Sequence, residues 1–390
     1  MSALFLFPPL ILCLLCCFVV AQDTLQSASS LLRGLEASGS TKNSYSNSNS
    51  VECEQYLSRH RSHAEQYRHR WKDPVLSRLL DKPTPKDKPY SWKLWWDFFE
   101  PYWSCNDEEE VGPVHDGHKW MCGLDALRDS TTTTTDNPCL VYSYGSAGDT
   151  SFEQALYERT GKRCKIHVFD PTPGFGSEAK QNAHAQQSFS GSFHSWGLGG
   201  GKDAQMRLEG WTAHKSHAST FPVETVMKTL KRLGESSLNS SSVSASSTTT
   251  IDVLKIDCEG CEWDAMLPII AACKSSSLVL GQLQLEMHIM WNNPEKGTEA
   301  QRERLALGKN REVQLQRRMT RVFKGLEEHC NLKIFHKEPN LKGCDGYKCL
   351  EYGFVNVKEQ CRRKRVAAFA SGGALQVADA PECVCGLDDV

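Results

Sequence analysis

From residue 138 onward, short apolar runs alternate with stretches of helical periodicity, a rhythm that predicts an α/β fold. "CLVYSYG" (139–145) is an apolar run closed by a glycine, and "SFEQALYERTG" (151–161) after it reads as a helix ended by Gly161. "CKIHVFD" (164–170) gives a second strand ending in Asp170, and "SFHSWGLGG" (192–200) a third. A helix in "FPVETVMKTLKRLG" (221–234) leads to a fourth strand, "IDVLKID" (251–257). "LVLGQLQLEMH" (278–288) is the fifth. Met319, Val322, Phe323 and Leu326 mark the apolar face of a long charged helix before the sixth and seventh strands, "LKIFHKE" (332–338) and "LEYGFVNV" (350–357). Strands separated by helices predict a mostly parallel sheet covered on both faces. The short connection between the last two makes them antiparallel neighbours.

Around this α/β region of 136–357 the pattern changes. Residues 22–50 are rich in Ser and Asn without apolar periodicity and read as a disordered stalk. Residues 51–135 form a helical, aromatic-rich cap. It includes a linker, "DKPTPKDKP" (81–89), and "YSWKLWWDFFEPYWSC" (90–105), whose aromatic residues are expected to pack on the main domain rather than form a ligand box. Residues 235–250 are a low-complexity insert with an N-glycosylation sequon at Asn239. In the tail, 358–390, "RRKR" (362–365) reads as a solvated charge run, with a protease processing site the alternative.

The first 21 residues redirect the reading toward the secretory pathway. Leu10 to Val20 is continuously apolar, with small residues at Val19 and Ala21, the pattern of a cleaved signal peptide; an uncleaved membrane anchor is the alternative. Of 17 cysteines, Cys13, Cys16 and Cys17 lie in this segment, leaving 14. A secreted or Golgi/ER-lumenal address makes disulfides their default state, with Cys105 and Cys122 a local pair and the C-x-x-C of Cys258 and Cys261 structural. A net charge of -2 gives no electrostatic case for a nucleic-acid partner.

Candidate chemistry gathers at the carboxyl ends of the predicted strands, where open α/β sheets bind ligands. Gly145 and Gly148 in "YSYGSAGD" permit a tight turn before a helix N-terminus, and Asp170, ending the next strand, suits ribose hydroxyls. Together they point to a nucleoside-containing cofactor. Asp257 and Glu259 follow the fourth strand, and Glu286 and His288 share one face at the end of the fifth. Glu262 reads as an acid that begins the next helix, favoured by the helix dipole.

"LKIDCEGCEWDAM" (254–266) resembles the acidic signature of FkbM-type S-adenosylmethionine-dependent methyltransferases. "YSYGSAGDTSFE", "FDPTPG", "GLGGGKD", "QLEMH" and "EYGFVN" resemble, in order, segments of related methyltransferase-like secretory proteins. The likeness runs from about Trp92 to Val357. It implies a seven-stranded Rossmann-like class I methyltransferase fold with an antiparallel last strand, and S-adenosylmethionine as cofactor. It would set Gly145, Ser146, Gly148 and Asp149 beside the methionine portion, Asp170 on the ribose, and Trp196, Gly197 and Leu198 near the adenine. Many such enzymes carry an acid near the end of the first strand; here that position is Ser143, with Asp149 the acid offered in exchange. Asp257, Glu259, Glu286 and His288 are then the catalytic candidates, in a metal-free arrangement, with a metal held by those four the alternative. The implied activity is O-methylation of a glycan or small-molecule acceptor. A catalytically silent module that binds a glycan or protein is the competing class, and a nicotinamide-dependent oxidoreductase lacks its G-x-G-x-x-G loop.

Overall fold

The protein is represented by a computed structural model that describes residues 71–80, 95–105, 107–114, 117–128, 139–172, 176–201, 205–208, 219–235, 248–288, 311–341 and 346–370. All of these belong to the unit Glu52–Val390. The expected signal segment and stalk, Asn239 and most of the tail lie outside the described residues.

The chain passes through helix α1 (Pro74–Leu80), the hairpin strands β1 (Glu108–Val111) and β2 (Lys119–Cys122), and the short helix α2 (Asp125–Arg128). Next come β3 (Leu140–Tyr144), α3 (Ser151–Arg159), β4 (Lys165–Phe169), α4 (Glu178–Phe189), β5 (Ser192–His194) and β6 (Gly197–Leu198). Strands β7 (Gln205–Leu208) and β8 (Ser219–Glu224) precede α5 (Val226–Arg232), β9 (Thr249–Ile256), α6 (Glu262–Lys274) and β10 (Leu278–His288). Helix α7 (Arg311–Cys330), β11 (Leu332–Asn340), β12 (Gly346–Asn356) and α8 (Val357–Ala370) complete the order.

Seven strands form one sheet in the order β11-β12-β10-β9-β3-β4-β5. Strands β3, β4, β5, β9 and β10 are parallel through their pairings, while β12 runs antiparallel to both β10 and β11. All five residues of β3 are buried, as expected for a central strand covered on both faces. Strand order reverses at β3, so the carboxyl ends of β3 and β9 diverge there and leave a crevice.

Three elements differ from the sequence reading. The third expected strand is two pieces: β5 ends at His194, and β6 leaves for a separate three-stranded sheet with β7 and β8. The stretch "FPVE" is strand, not helix, because α5 starts only after Thr225, whose hydroxyl caps the Lys228 amide. The start of the "RRKR" run lies on helix α8, and Arg363 is not a solvated charge. It reaches buried Asp252 on β9 and Glu359, and burial lowers its pKa to about 10.

The aromatic segment packs as core. Trp95, Trp96 and Phe99 are buried, with ring centroids 4.6 Å apart for Trp95 and Phe99 and 4.4 Å for Phe99 and Phe323 of α7. Disulfides join Cys105 to Cys122, Cys139 to Cys164, Cys258 to Cys261 and Cys273 to Cys330. The first of these staples the β1–β2 hairpin to the segment before it.

Side chains on β11 hold the same hairpin. His336 Nδ1 lies 2.7 Å from Glu108 Oε1, and His118 Nε2 lies 2.8 Å from Glu338 Oε1, with Glu110 at 3.6 Å. Burial lowers the His336 pKa, but Glu338, 3.7 Å from Nε2, and hydrogen-bonded Glu108 outweigh it and leave the pKa raised. A raised folded-state pKa contributes stability that is present below the unfolded value and is lost as pH rises through the folded one. Replacing His336 with Gln should therefore cost about 1 kcal/mol at pH 6 and clearly less at pH 9, read from urea unfolding at both pH values. An equal loss at both would show that the clamp is not charge-assisted.

Candidate functional site

The ends of β3, β4 and β9 are stitched together by backbone. Gly145 N donates to Phe169 O at 2.9 Å, and Asp257 N donates to Tyr144 O at 2.9 Å. A Cβ on Gly145 would stand 1.6 Å from the carbonyl oxygen of Asp257, and its φ is +83°, so only glycine fits there. Beside this junction lies a cleft open to solvent. Gly145, Ser146, Asp149, Asp170, Gly197, Leu198, Asp257, Glu259 and Glu286 all line it, which brings nine of the twelve predicted site residues onto one surface.

The other three stand elsewhere. Gly148 turns the loop at φ +81° without lining the cleft. Trp196 is buried behind it: Arg232 covers its ring at 3.9 Å and His194 packs at 4.6 Å, so its face is already taken. The cleft lining also includes Tyr144 and Phe169, which stack on each other at 4.5 Å, with His194 against the Phe169 ring at 4.8 Å. His288 lies one layer below the lining, against the acids that form it.

Asp170 has a structural duty. Its Oδ2 accepts from Ser146 N at 2.8 Å and Ala147 N at 2.6 Å, and its Oδ1 from Thr172 N at 2.8 Å. The carboxylate thus shapes the glycine loop, and Oδ1 keeps a lone pair for a further donor. The acid missing from Ser143 comes from α3. Ser143 Oγ donates to Glu153 Oε1, while Glu153 Oε2 is buried at the cleft and makes no hydrogen bond. Asp149, the acid expected in that role, caps the start of α3 by accepting from Ser151 N at 2.9 Å.

On the opposite wall the acids form a buried network around Lys119, which enters from the hairpin. Lys119 Nζ lies 2.7 Å from Glu351 Oε2 and 3.4 Å from Asp257 Oδ2, and Lys255 Nζ lies 3.8 Å from the same Asp257 oxygen. Burial alone would lower the Lys119 pKa; Glu351, Asp257 and Glu286 raise it above its usual value. For Asp257, burial pushes the carboxyl up, but Lys119, Lys255 and His288 hold it below the usual carboxylate range. Asp257 is therefore a firmly ionised charge and a poor proton acceptor. Glu286 goes the other way, raised by burial and by Asp257. Glu262 is fully buried, and its Oε1 accepts from His288 N and faces His288 Nδ1, each at 2.9 Å. It thus orients an imidazole, a task beyond that of an acid opening a helix. Lys119, Glu153, Lys255, Glu262 and Glu351 are site residues that sequence reasoning missed. "DCEGCE" carried a readable signal only for Glu262.

A seven-stranded sheet in this order, with a cleft beyond the carboxyl ends at the reversal, defines a class I methyltransferase type of protein. Residues 54–356 match a family described as a methyltransferase domain, and the chain belongs to that family. The chain matches no curated protein. Among solved structures, it is similar to the methyltransferase FkbM of Methylobacillus flagellatus KT at 12% identity and a TM-score of 0.29, over 57% of this chain and 47% of that one. It is also similar to an O-methyltransferase family 2 protein of Planctomyces limnophilus DSM 3776, solved with apigenin, at 10% identity and a TM-score of 0.25, over 58% and 52% of the two chains. The chain thus spans about half the length of each.

Two substitutions test the junction without any ligand. Asp170→Ala leaves the amides of Ser146, Ala147 and Thr172 without their acceptor, and should cost about 2 kcal/mol in urea unfolding. Gly145→Ala should cost more than about 3 kcal/mol, because backbone must move to admit its Cβ. A near-neutral Gly145→Ala would contradict the close contact with Asp257.

Proposed function

We propose that the chain is an S-adenosylmethionine-dependent O-methyltransferase of the secretory pathway, acting on a hydroxyl of a glycan or small molecule. The observation that carries this reading is the division of the cleft into two unlike walls. One has the glycine loop, Asp170 and the aromatic pair Tyr144 and Phe169; the other has Asp257, Glu259 and Glu286.

The first wall fits the cofactor. The buried, unbonded Oε2 of Glu153 calls for a donor or a cation from a ligand, since an orphaned buried carboxylate oxygen is costly. Asp170 Oδ1 can accept from a ribose hydroxyl. Gly197 and Leu198 offer an apolar edge for a base. When bound, S-adenosylmethionine supplies an electrophilic methyl group for in-line displacement. The chain's part is then positioning and electrostatics. Ionised Asp257 stabilises positive charge near the transferring group, and Glu286, with its raised pKa, is the better acceptor for a hydroxyl proton. The disulfides support an oxidising compartment for the folded chain.

Calorimetry of the purified protein tests this reading. S-adenosylmethionine and S-adenosylhomocysteine should bind and NAD should not. Glu153→Gln should weaken S-adenosylmethionine about tenfold, a loss of about 1.4 kcal/mol for one charge-assisted contact. Asp257→Asn should keep cofactor affinity and lower methyl transfer about 10²-fold. No heat with either sulfur compound would leave a silent binding module as the better account.

A further inference from the structure

We propose that the Cys258–Cys261 bridge is a thiol-exchange site, opened by a dithiol that reaches it from the cleft, and that its opening frees Glu259 at the cleft mouth. The two cysteines are joined across a sequence separation of 3, whereas Cys139–Cys164 and Cys273–Cys330 span 25 and 57. A bridge restrains the unfolded chain more strongly the longer the loop it closes, so as a staple this one contributes least of the three. Its position differs as well. Cys139, Cys164, Cys273 and Cys330 are all buried, but Cys258 is half-buried and lines the open cleft beside Glu259.

Thiol–disulfide exchange needs one sulfur within reach and the other able to depart as a thiolate. Cys258 meets the first condition and Cys261 the second. Cys261 is 1% exposed and is the N-cap of α6, where the free amides of a helix favour negative charge. Glu262 Oε2 lies 3.5 Å from Cys258 Sγ, and a carboxylate there disfavours a thiolate on that sulfur. Attack is therefore directed at Cys258 and departure at Cys261. The thiolate of the reductant bonds to Cys258 Sγ, and the electron pair of the broken S–S bond passes to Cys261 Sγ, which takes up a proton. The second thiol of the reductant then attacks the reductant's own sulfur in the mixed disulfide and expels Cys258 Sγ, which is protonated in turn. The chain gains two electrons and two protons, and the dithiol leaves as a disulfide.

The loop between the two sulfurs is held in a conformation that a free chain resists. Glu259 stands at φ +56° and Gly260 at φ +108°, in the left-handed region that is costly for a residue with a side chain. Gly260 N donates to Glu262 Oε2 at 2.9 Å, and Glu259 Oε2 stands 3.6 Å from His288 Nε2. Once the bridge opens, Glu259 returns to an ordinary conformation and its carboxylate leaves the wall. The Glu262–His288 contact belongs to α6 and β10 and remains. The oxidation state of two sulfurs thus sets whether the acid row carries Glu259. None of these steps depends on the methyl-transfer reading.

Graded reduction of the native, oxidised full chain tests the site, with dithiothreitol as the probe because the acid row repels anionic thiols. Free thiols are trapped with N-ethylmaleimide and located by peptide mass spectrometry. Cys258 and Cys261 should be labelled roughly tenfold or more faster than Cys139, Cys164, Cys273 and Cys330, while circular dichroism stays native. Hydrogen exchange at the Gly260 amide should then rise roughly tenfold, with the Gly145 amide, bonded to Phe169 O, unchanged. Two variants identify the attacked sulfur. The thiol left in Cys261→Ser should react with a small aromatic disulfide roughly tenfold faster than the thiol left in Cys258→Ser. Opening at the pace of the two buried bridges, or only as the chain unfolds, would return Cys258–Cys261 to the role of a staple. Equal reactivity of the two variants, or Gly260 exchange indifferent to reduction, would likewise overturn the site. Reduced thioredoxin at equal concentration is the parallel arm: faster opening than by dithiothreitol identifies a protein dithiol as the reagent, and slower opening a small one.

Discussion

The approach of Gly145 to the carbonyl of Asp257 is the constraint from which the site follows. Parallel strands that diverge at a reversal leave a crevice, but its two walls are useful only if they end at the same height. Here the loop after β3 folds directly over the end of β9, at a distance that excludes even a methyl group. The glycine loop and the first acid of the row then belong to one surface. Asp170 completes the arrangement by tying the loop to the end of β4 through the amides of Ser146 and Ala147. These contacts are made by backbone or to backbone, so the walls are rigid before any ligand arrives.

Around that frame the chain buries far more charge than folding needs. Apolar residues at Lys119, Glu262, Glu286, His288 and Glu351 would pack with less desolvation cost, since buried ion pairs rarely repay their removal from water. Retaining them makes sense only for what the cleft does. The charges are also arranged with opposite results on neighbouring acids: Asp257 is held ionised by two lysines, while Glu286 is pushed up. Two carboxyl groups side by side thus have their proton affinities shifted in opposite directions, a common sign of a working site.

The sheet was legible because its strands are buried on both faces and so read as apolar runs. The acids at Asp257, Glu259 and Glu286 stood out for the same reason, since each breaks or closes such a run. What the sequence hid came from elements without that contrast. Strands β1 and β2, "EEEV" and "KWMC", have no apolar alternation, and their hairpin brings in Lys119. Glu153 and Glu262 sit in the first turns of helices, where an acid has an ordinary explanation in the dipole. An aromatic residue such as Trp196 after a strand end gives no hint in sequence that Arg232 and His194 cover its ring. Arg363 was hidden in a basic cluster whose other members gave no reason to expect one of them at Asp252.

The hairpin has one more consequence, for where the smallest working piece of this protein begins. The sheet is complete from β3 onward, and a trimmed chain starting there would retain every strand and the glycine loop. It would also retain Asp257, Glu286 and Glu351 while discarding the ammonium group seated among them. Such a fragment would have the architecture without that countercharge, and its acids would have to take up protons, water or salt instead. The autonomous unit is therefore larger than the recognisable fold, and its edge is drawn by charge balance rather than by strand count.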